Sequence, residues 1–178
     1  MFLKKSNFIV ADSSFYLCFL EDIKRPDILI LMLAEFEFAI GGKIHSEISR
    51  CEHYKSIDAN EHLTILSDYD FSEALRPFFS KYENIKGEGE AIALAVILFG
   101  LHKLDKLILD ENEPRRWVEN NLPHLIPIMI GTVGFIGKCC YEFHVLDKEE
   151  SLQILSEIQK SPFRVTDKVL NEVRSLIN

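Results

Sequence analysis

GEGEAIALAVILFGLHKLDKLILDENEPRR, residues 87–116, changes its hydrophobic rhythm twice. From Glu88 to Leu101 the chain is rich in Ala, Leu and Ile, apolar around most of a helical circumference, and follows a glycine; it reads as a buried helix. Lys106–Leu109 is a short apolar run suited to a strand, and Pro114 opens a further helix reaching Asn120. Helix, strand and helix within thirty residues is the pattern of a parallel sheet with crossovers.

The alternation extends both ways. Upstream, Asn7–Ala11 reads as a strand that stops at Asp12-Ser13-Ser14, and a helix begins near Ser14 and runs through FYLCFLED. Arg25-Pro26-Asp27 starts a second helix, and its apolar run ILILMLA (28–34) is expected in the core. FEFAI (36–40) alternates as a strand, Gly41-Gly42 turns into a helix carrying Ile44, Glu47 and Ile48, and Cys51–Asn60 is polar. LTIL (63–66) is another strand, and Phe71–Tyr82 has helical spacing. Downstream, LIPIM (125–129) reads as a last strand and Gly131-Thr132-Val133-Gly134 as the opening of a helix. Two amphipathic helices follow, Asp147–Gln159 and Asp167–Ile177. The expected class is α/β, a three-layer α/β/α sandwich around a mostly parallel sheet. Residues 1–146 would form the sandwich and 147–178 a helical extension of the same domain.

Composition narrows the function classes. A chain of 178 residues suits one domain with a substantial core. With 20 Lys and Arg against 28 Asp and Glu, the formal charge is -8, which argues against a plain nucleic-acid-binding module held by phosphate neutralisation. The balance suits a site whose metal ions offset local negative charge. ILILMLA is far shorter than the roughly 20 residues of a membrane span, and MFLKKSNFIVADSSF lacks a secretory pattern, so a cytoplasmic protein without membrane contact is expected. Cys18, Cys51, Cys139 and Cys140 have neither zinc-ligand nor redox-motif spacing and read as free thiols.

Acidic residues recur where apolar runs end or helices open: Asp12, Glu47, Glu90 and Asp110. Each has a plainer reading. Asp12 and Asp110 suit helix N-caps, Glu47 a solvated helix face, and Glu88 and Glu90 the positive end of a helix. Glu90 lies within so apolar a helix that its charge needs a partner or a cleft. Arg115 and Arg116 follow Asp110 closely enough to reach a phosphate oxygen, or to form surface ion pairs. Carboxylates at the carboxyl ends of parallel strands converge where such folds bind ligands, and an oxygen-rich pocket suits a hard divalent ion.

Read in order, IVADSS (9–14), IHSEI (44–48), GEGEAIALA (87–95), LILDENEPRR (107–116) and GTVGFI (131–136) resemble the PIN-domain superfamily of metal-dependent ribonucleases, particularly its small prokaryotic branch predicted to bind nucleic acid. The resemblance implies a nuclease domain over residues 1–146 and an acidic quartet of Asp12, Glu47, Glu90 and Asp110. In that reading Asp12, Glu90 and Asp110 would ligate Mg²⁺ or Mn²⁺ as cofactor. Glu88 and Glu111 would support them, and Ser13, Ser14, Arg115 and Arg116 would orient ligands or substrate. The implied function is hydrolysis of RNA phosphodiester bonds by a homodimer, as the toxin of a toxin–antitoxin pair with a cognate antitoxin protein. A catalytically weak or inactive interaction module of the same fold is the alternative. A receiver-like use of Asp12 as a phosphoacceptor would need a lysine late in the chain after a strand, and no compelling candidate follows LIPIM. On the leading reading, Asp12→Asn or Glu90→Gln should abolish cleavage without lowering the melting temperature.

Overall fold

A computed structural model describes residues 7–68 and 87–178; the helical spacing of Phe71–Tyr82 falls outside them. Among the described residues five strands form one all-parallel sheet: β1 (Phe8–Ala11), β2 (Glu37–Gly41), β3 (Leu63–Leu66), β4 (Leu104–Ile108) and β5 (Met129–Ile130). Their order is β3-β2-β1-β4-β5. Helices flank the sheet, giving the expected α/β/α sandwich. The chain builds outward from β1 through β2 to β3, then returns to lay β4 on the other side of β1. The switch point of the topology therefore lies between β1 and β4, where crevices open in sheets of this kind.

Among the described residues the α-helices are α1 (Ser13–Leu17), α2 (Pro26–Glu35), α3 (Gly42–Ile48), α4 (Gly87–Gly100), α5 (Asn112–Asn121), α6 (Thr132–Tyr141), α7 (Lys148–Lys160) and α8 (Asp167–Ile177). A π-helical turn, Cys18–Asp22, continues α1. α4 packs on β1, β2 and β4 and buries Ala91, Ile92, Ala93, Leu94 and Ala95, which explains its unbroken apolar composition. α7 and α8 pack on each other and on α6, and their Ile154, Leu155, Leu170 and Val173 join the one continuous core.

An aromatic cluster fixes the first helix. Phe15 stacks on Phe38 of β2 at 5.5 Å between centroids and meets Phe19 and Phe135 edge-on at 5.4 and 6.0 Å. All four rings are fully buried, and truncating one such Phe costs about 3–5 kcal/mol. Because Phe15 stands three residues after Asp12, this packing also fixes where Asp12 sits.

Three expectations need correction. LIPIM is mostly a 3₁₀ turn, Pro123–Ile128, and only Met129–Ile130 pairs with β4. Pro123 and Pro127 have no amide hydrogen for a ladder, so the strand starts only beyond them. The fourth strand begins two residues early, at Leu104, because Phe8 of β1 pairs there across a register shift. The run 28–34 is not wholly buried: Ile28, Leu29, Met32 and Leu33 are inside, while Ile30 and Leu31 are 37% and 42% exposed. A helix resting on one face of a sheet can hide only one of its own sides.

Among the described residues no helix is long and apolar enough to cross a membrane. The four cysteines are free thiols. Cys18 and Cys139 are buried, and burial pushes the Cys139 thiol up to about 12, away from the reactive thiolate.

Candidate functional site

Three neighbouring strands end side by side and deliver the site. Ala11 pairs with Ile108 and Ile108 with Ile130, so Asp12, Asp110 and Thr132 leave the sheet together at its carboxyl edge. The Asp12 amide donates to the Ile108 carbonyl at 3.1 Å, and the Leu109 amide to the Ile130 carbonyl at 2.9 Å, extending the ladders into the loops. The site therefore sits at the switch point.

Asp12 is fully buried and is the N-cap of α1. Its Oδ1 accepts the Phe15 amide at 3.2 Å and its Oδ2 the Asp110 amide at 3.3 Å. Asp110 in turn accepts the Thr132 amide at 2.8 Å on Oδ1 and the Thr132 hydroxyl at 2.5 Å on Oδ2. Burial above all, and then the charge of Asp110, holds the Asp12 carboxyl well above its ordinary value. Burial raises Asp110 as well, against the lowering pull of Thr132 and Arg115. Two carboxylates are thus held in one desolvated corner, each hydrogen-bonded yet short of positive charge.

Glu88 also acts on Asp12, raising its affinity for a proton, so the acid two residues before Glu90 is the one that Asp12 senses. Glu47 lies at a neighbouring corner. A Cβ placed on Gly87 would meet the Ser13 Oγ at 2.9 Å and the Glu47 Oε2 at 3.0 Å, so these two polar side chains close over the start of α4.

Glu90 does something else. Its Oε1 accepts the Lys43 amide at 3.1 Å and its Oε2 the Ile44 amide at 2.8 Å, which caps α3 from a distant helix. Gly41, the N-cap position, has no side chain to do this, and a Cβ there would land on the Glu90 carboxylate. The buried charge does have its partner, but the partner is backbone. Each Glu90 oxygen holds one α3 amide, so the metal-ligand role expected for Glu90 would have to share its carboxylate with this cap.

The basic pair also separates. Arg115 donates to the Leu109 carbonyl at 2.8 Å, bracing the strand end that carries Asp110, while Arg116 is exposed. Glu111 is exposed and holds the N-cap position of α5 without a side-chain cap bond. Thr132 was not singled out from the sequence. The available signal was a hydroxyl directly after the β5 apolar run, in GTVG, at the same strand end as the two aspartates.

Beside Asp110 opens a cleft of about 530 Å³, bounded by Ser14, Glu21, Asn112 and the segment linking α7 to α8. That volume falls within the roughly 300–1,000 Å³ usual for small-molecule sites.

The donors at the switch point suit a hard divalent ion in part. They are oxygens alone, and each Asp12 and Asp110 oxygen keeps a lone pair after its one accepted hydrogen bond. Among the described residues, however, no three His, Cys, Asp or Glu side chains gather closely enough to enclose a metal ion. A two-carboxylate corner matches Mg²⁺, which keeps several waters and needs only one or two carboxylates, better than an all-protein cage.

The fold and site define a class: a parallel α/β sandwich with a hydrogen-bonded aspartate pair at its switch point. No family model matches the chain, and no curated protein or solved structure matches it.

Proposed function

We propose that the protein is a metal-dependent ribonuclease whose centre is the Asp12–Asp110 pair. The observation that carries this reading is the desolvated carboxylate pair at the crevice of the sheet, joined by the Asp110 amide donating to Asp12, beside an open cleft. The resemblance of IVADSS, GEGEAIALA and LILDENEPRR to the PIN-domain superfamily supplies the reaction class. A bound Mg²⁺ or Mn²⁺ would supply charge for the scissile phosphate and acidify an attacking water.

In this reading Asp12 and Asp110 hold the ion, and Thr132 keeps the Asp110 carboxylate ionisable by donating two hydrogen bonds to it. Arg115 fixes the Leu109 carbonyl and adds positive charge near Asp110. Glu88 adds a smaller negative contribution at Asp12, after burial and Asp110. Homodimer formation and pairing with an antitoxin protein belong to the same proposal.

A second reading, a PIN-fold interaction module with weak or no chemistry, is favoured by one observation: Glu90 already caps α3. Purified protein incubated with structured and single-stranded RNA in Mg²⁺, Mn²⁺ or EDTA separates the two. Metal-dependent cleavage that Asp12→Asn removes supports the nuclease. Absence of cleavage together with absence of Mn²⁺ binding by calorimetry leaves the interaction module.

A further inference from the structure

The cleft beside Asp110 has two unlike walls. On one side it is acidic and polar, with Ser14, Glu21, Asp22 and Asn112. Its other wall comes from the short link between α7 and α8 and contributes Phe163 and Arg164. That link is held in place: the Ser161 hydroxyl donates to the Ile158 carbonyl at 2.8 Å, and the Phe163 amide donates to the Ser161 Oγ at 3.1 Å. Thr166 then caps α8 through the Val169 amide at 3.4 Å.

Phe163 is half-buried against the core, and Arg164 is exposed. Arg164 makes no ion pair among the described residues, although four carboxylates line the same cleft. A fixed aromatic ring next to an uncommitted guanidinium is a combination that takes nucleotides, by stacking under the base and by a charged fork for phosphate. The carboxylates opposite would repel a bare polyanion, so the phosphate must enter with a counter-cation. The Asp12–Asp110 corner is suited to hold one.

We propose that Phe163 and Arg164 form the subsite for the nucleotide next to the scissile phosphate, Phe163 stacking its base and Arg164 taking its phosphate. This rests on the ribonuclease reading for its substrate class. The C-terminal helices would then be part of the substrate site, because they carry its wall.

The test is fluorescence anisotropy with a labelled single-stranded oligoribonucleotide in Ca²⁺, using the full chain, Phe163→Leu and Arg164→Gln, alongside cleavage kinetics in Mn²⁺. Each variant should weaken binding roughly tenfold and raise KM similarly, with kcat changed less than about threefold. Arg164 is exposed, so Arg164→Gln leaves the melting temperature unchanged and keeps the test valid if Phe163→Leu perturbs packing. Wild-type affinity in both variants overturns the subsite, as does a wild-type chain that binds no RNA. Cleavage with unaltered KM sinks the subsite and leaves the nuclease standing. RNA binding that depends on Arg164, without cleavage in any metal, does the reverse.

Discussion

The Asp110 amide donates to the Asp12 carboxylate across 3.3 Å, so the backbone of one acid solvates the side chain of the other. The contact joins two strand ends 98 residues apart in sequence and sets the spacing of the pair. The Asp12 carboxylate cannot shift without disturbing the loop that bears Asp110, whose own carboxylate is tied to Thr132.

Removing charge at this corner should not weaken the metal-free fold. Asn is as good an N-cap as Asp, so Asp12→Asn keeps an acceptor for the Phe15 amide; its NH₂ faces the Asp110 amide across a long 3.3 Å contact, and the end of the repulsion from the Asp110 carboxylate offsets that loss. The melting temperature in EDTA should stay level or rise by about 2–4 °C, corresponding to ~1 kcal/mol in a chain of this size. Calorimetry in EDTA checks this; a fall of several degrees would show that Asp12 is chiefly a structural cap.

Stability should depend on pH through the same pair. Burial raises both carboxyls above the ordinary value of 3.8, so the folded chain keeps protons that the unfolded chain releases. This contribution is complete below about pH 3.8 and is lost as pH climbs through the raised folded values. In EDTA, urea midpoints of the wild type should therefore fall relative to those of Asp12→Asn/Asp110→Asn as pH rises from 4 towards neutrality. Parallel curves for the two chains would count against a desolvated pair.

Glu90→Gln should lower stability, contrary to the expectation read from sequence. Gln offers one acceptor where two amides, Lys43 and Ile44, now find one each, and sets an NH₂ against an N–H. The loss should be about 1–2 kcal/mol. Gly41→Ala should cost a similar amount by pushing the carboxylate off the cap, and the double variant should cost less than the sum. Chemical denaturation of the four chains measures the coupling; strict additivity would mean that the cap is not what the glycine protects.

Thr132→Val keeps the shape of the side chain and removes the hydroxyl that donates to the Asp110 Oδ2. Asp110 then becomes harder to ionise, because that bond lowers its proton affinity. Mn²⁺ binding should weaken by about tenfold near pH 6 and recover in part at higher pH, as titration calorimetry at several pH values would show. Unchanged affinity across the range would remove Thr132 from the site.

Much of this was written in local rhythm. FIVA announces a buried strand, LTIL a further strand, GEGEAIALA a helix without a solvent face, and Asp12 an N-cap, because each depends on spacing within a few residues. The LIPIM strand failed at Pro127, whose missing amide outweighs apolar composition. Of the four acids proposed from sequence, Asp12 and Asp110 meet at the switch point, and Glu47 sits beside Ser13. Glu90 and Glu88 could not be told apart by spacing, since either can open the helix.

By itself, then, the sequence determined the alternation of strand and helix and the arrival of acids at strand ends, both properties of short segments. The tertiary structure alone decided the order of the strands, and with it which ends became neighbours. It sent Glu90 to the orphan amides of α3, where a glycine had left room and no cap. It also brought Thr132 against Asp110 and the α7–α8 link to the cleft. Those pairings join residues tens of positions apart, and local propensity has no term for them.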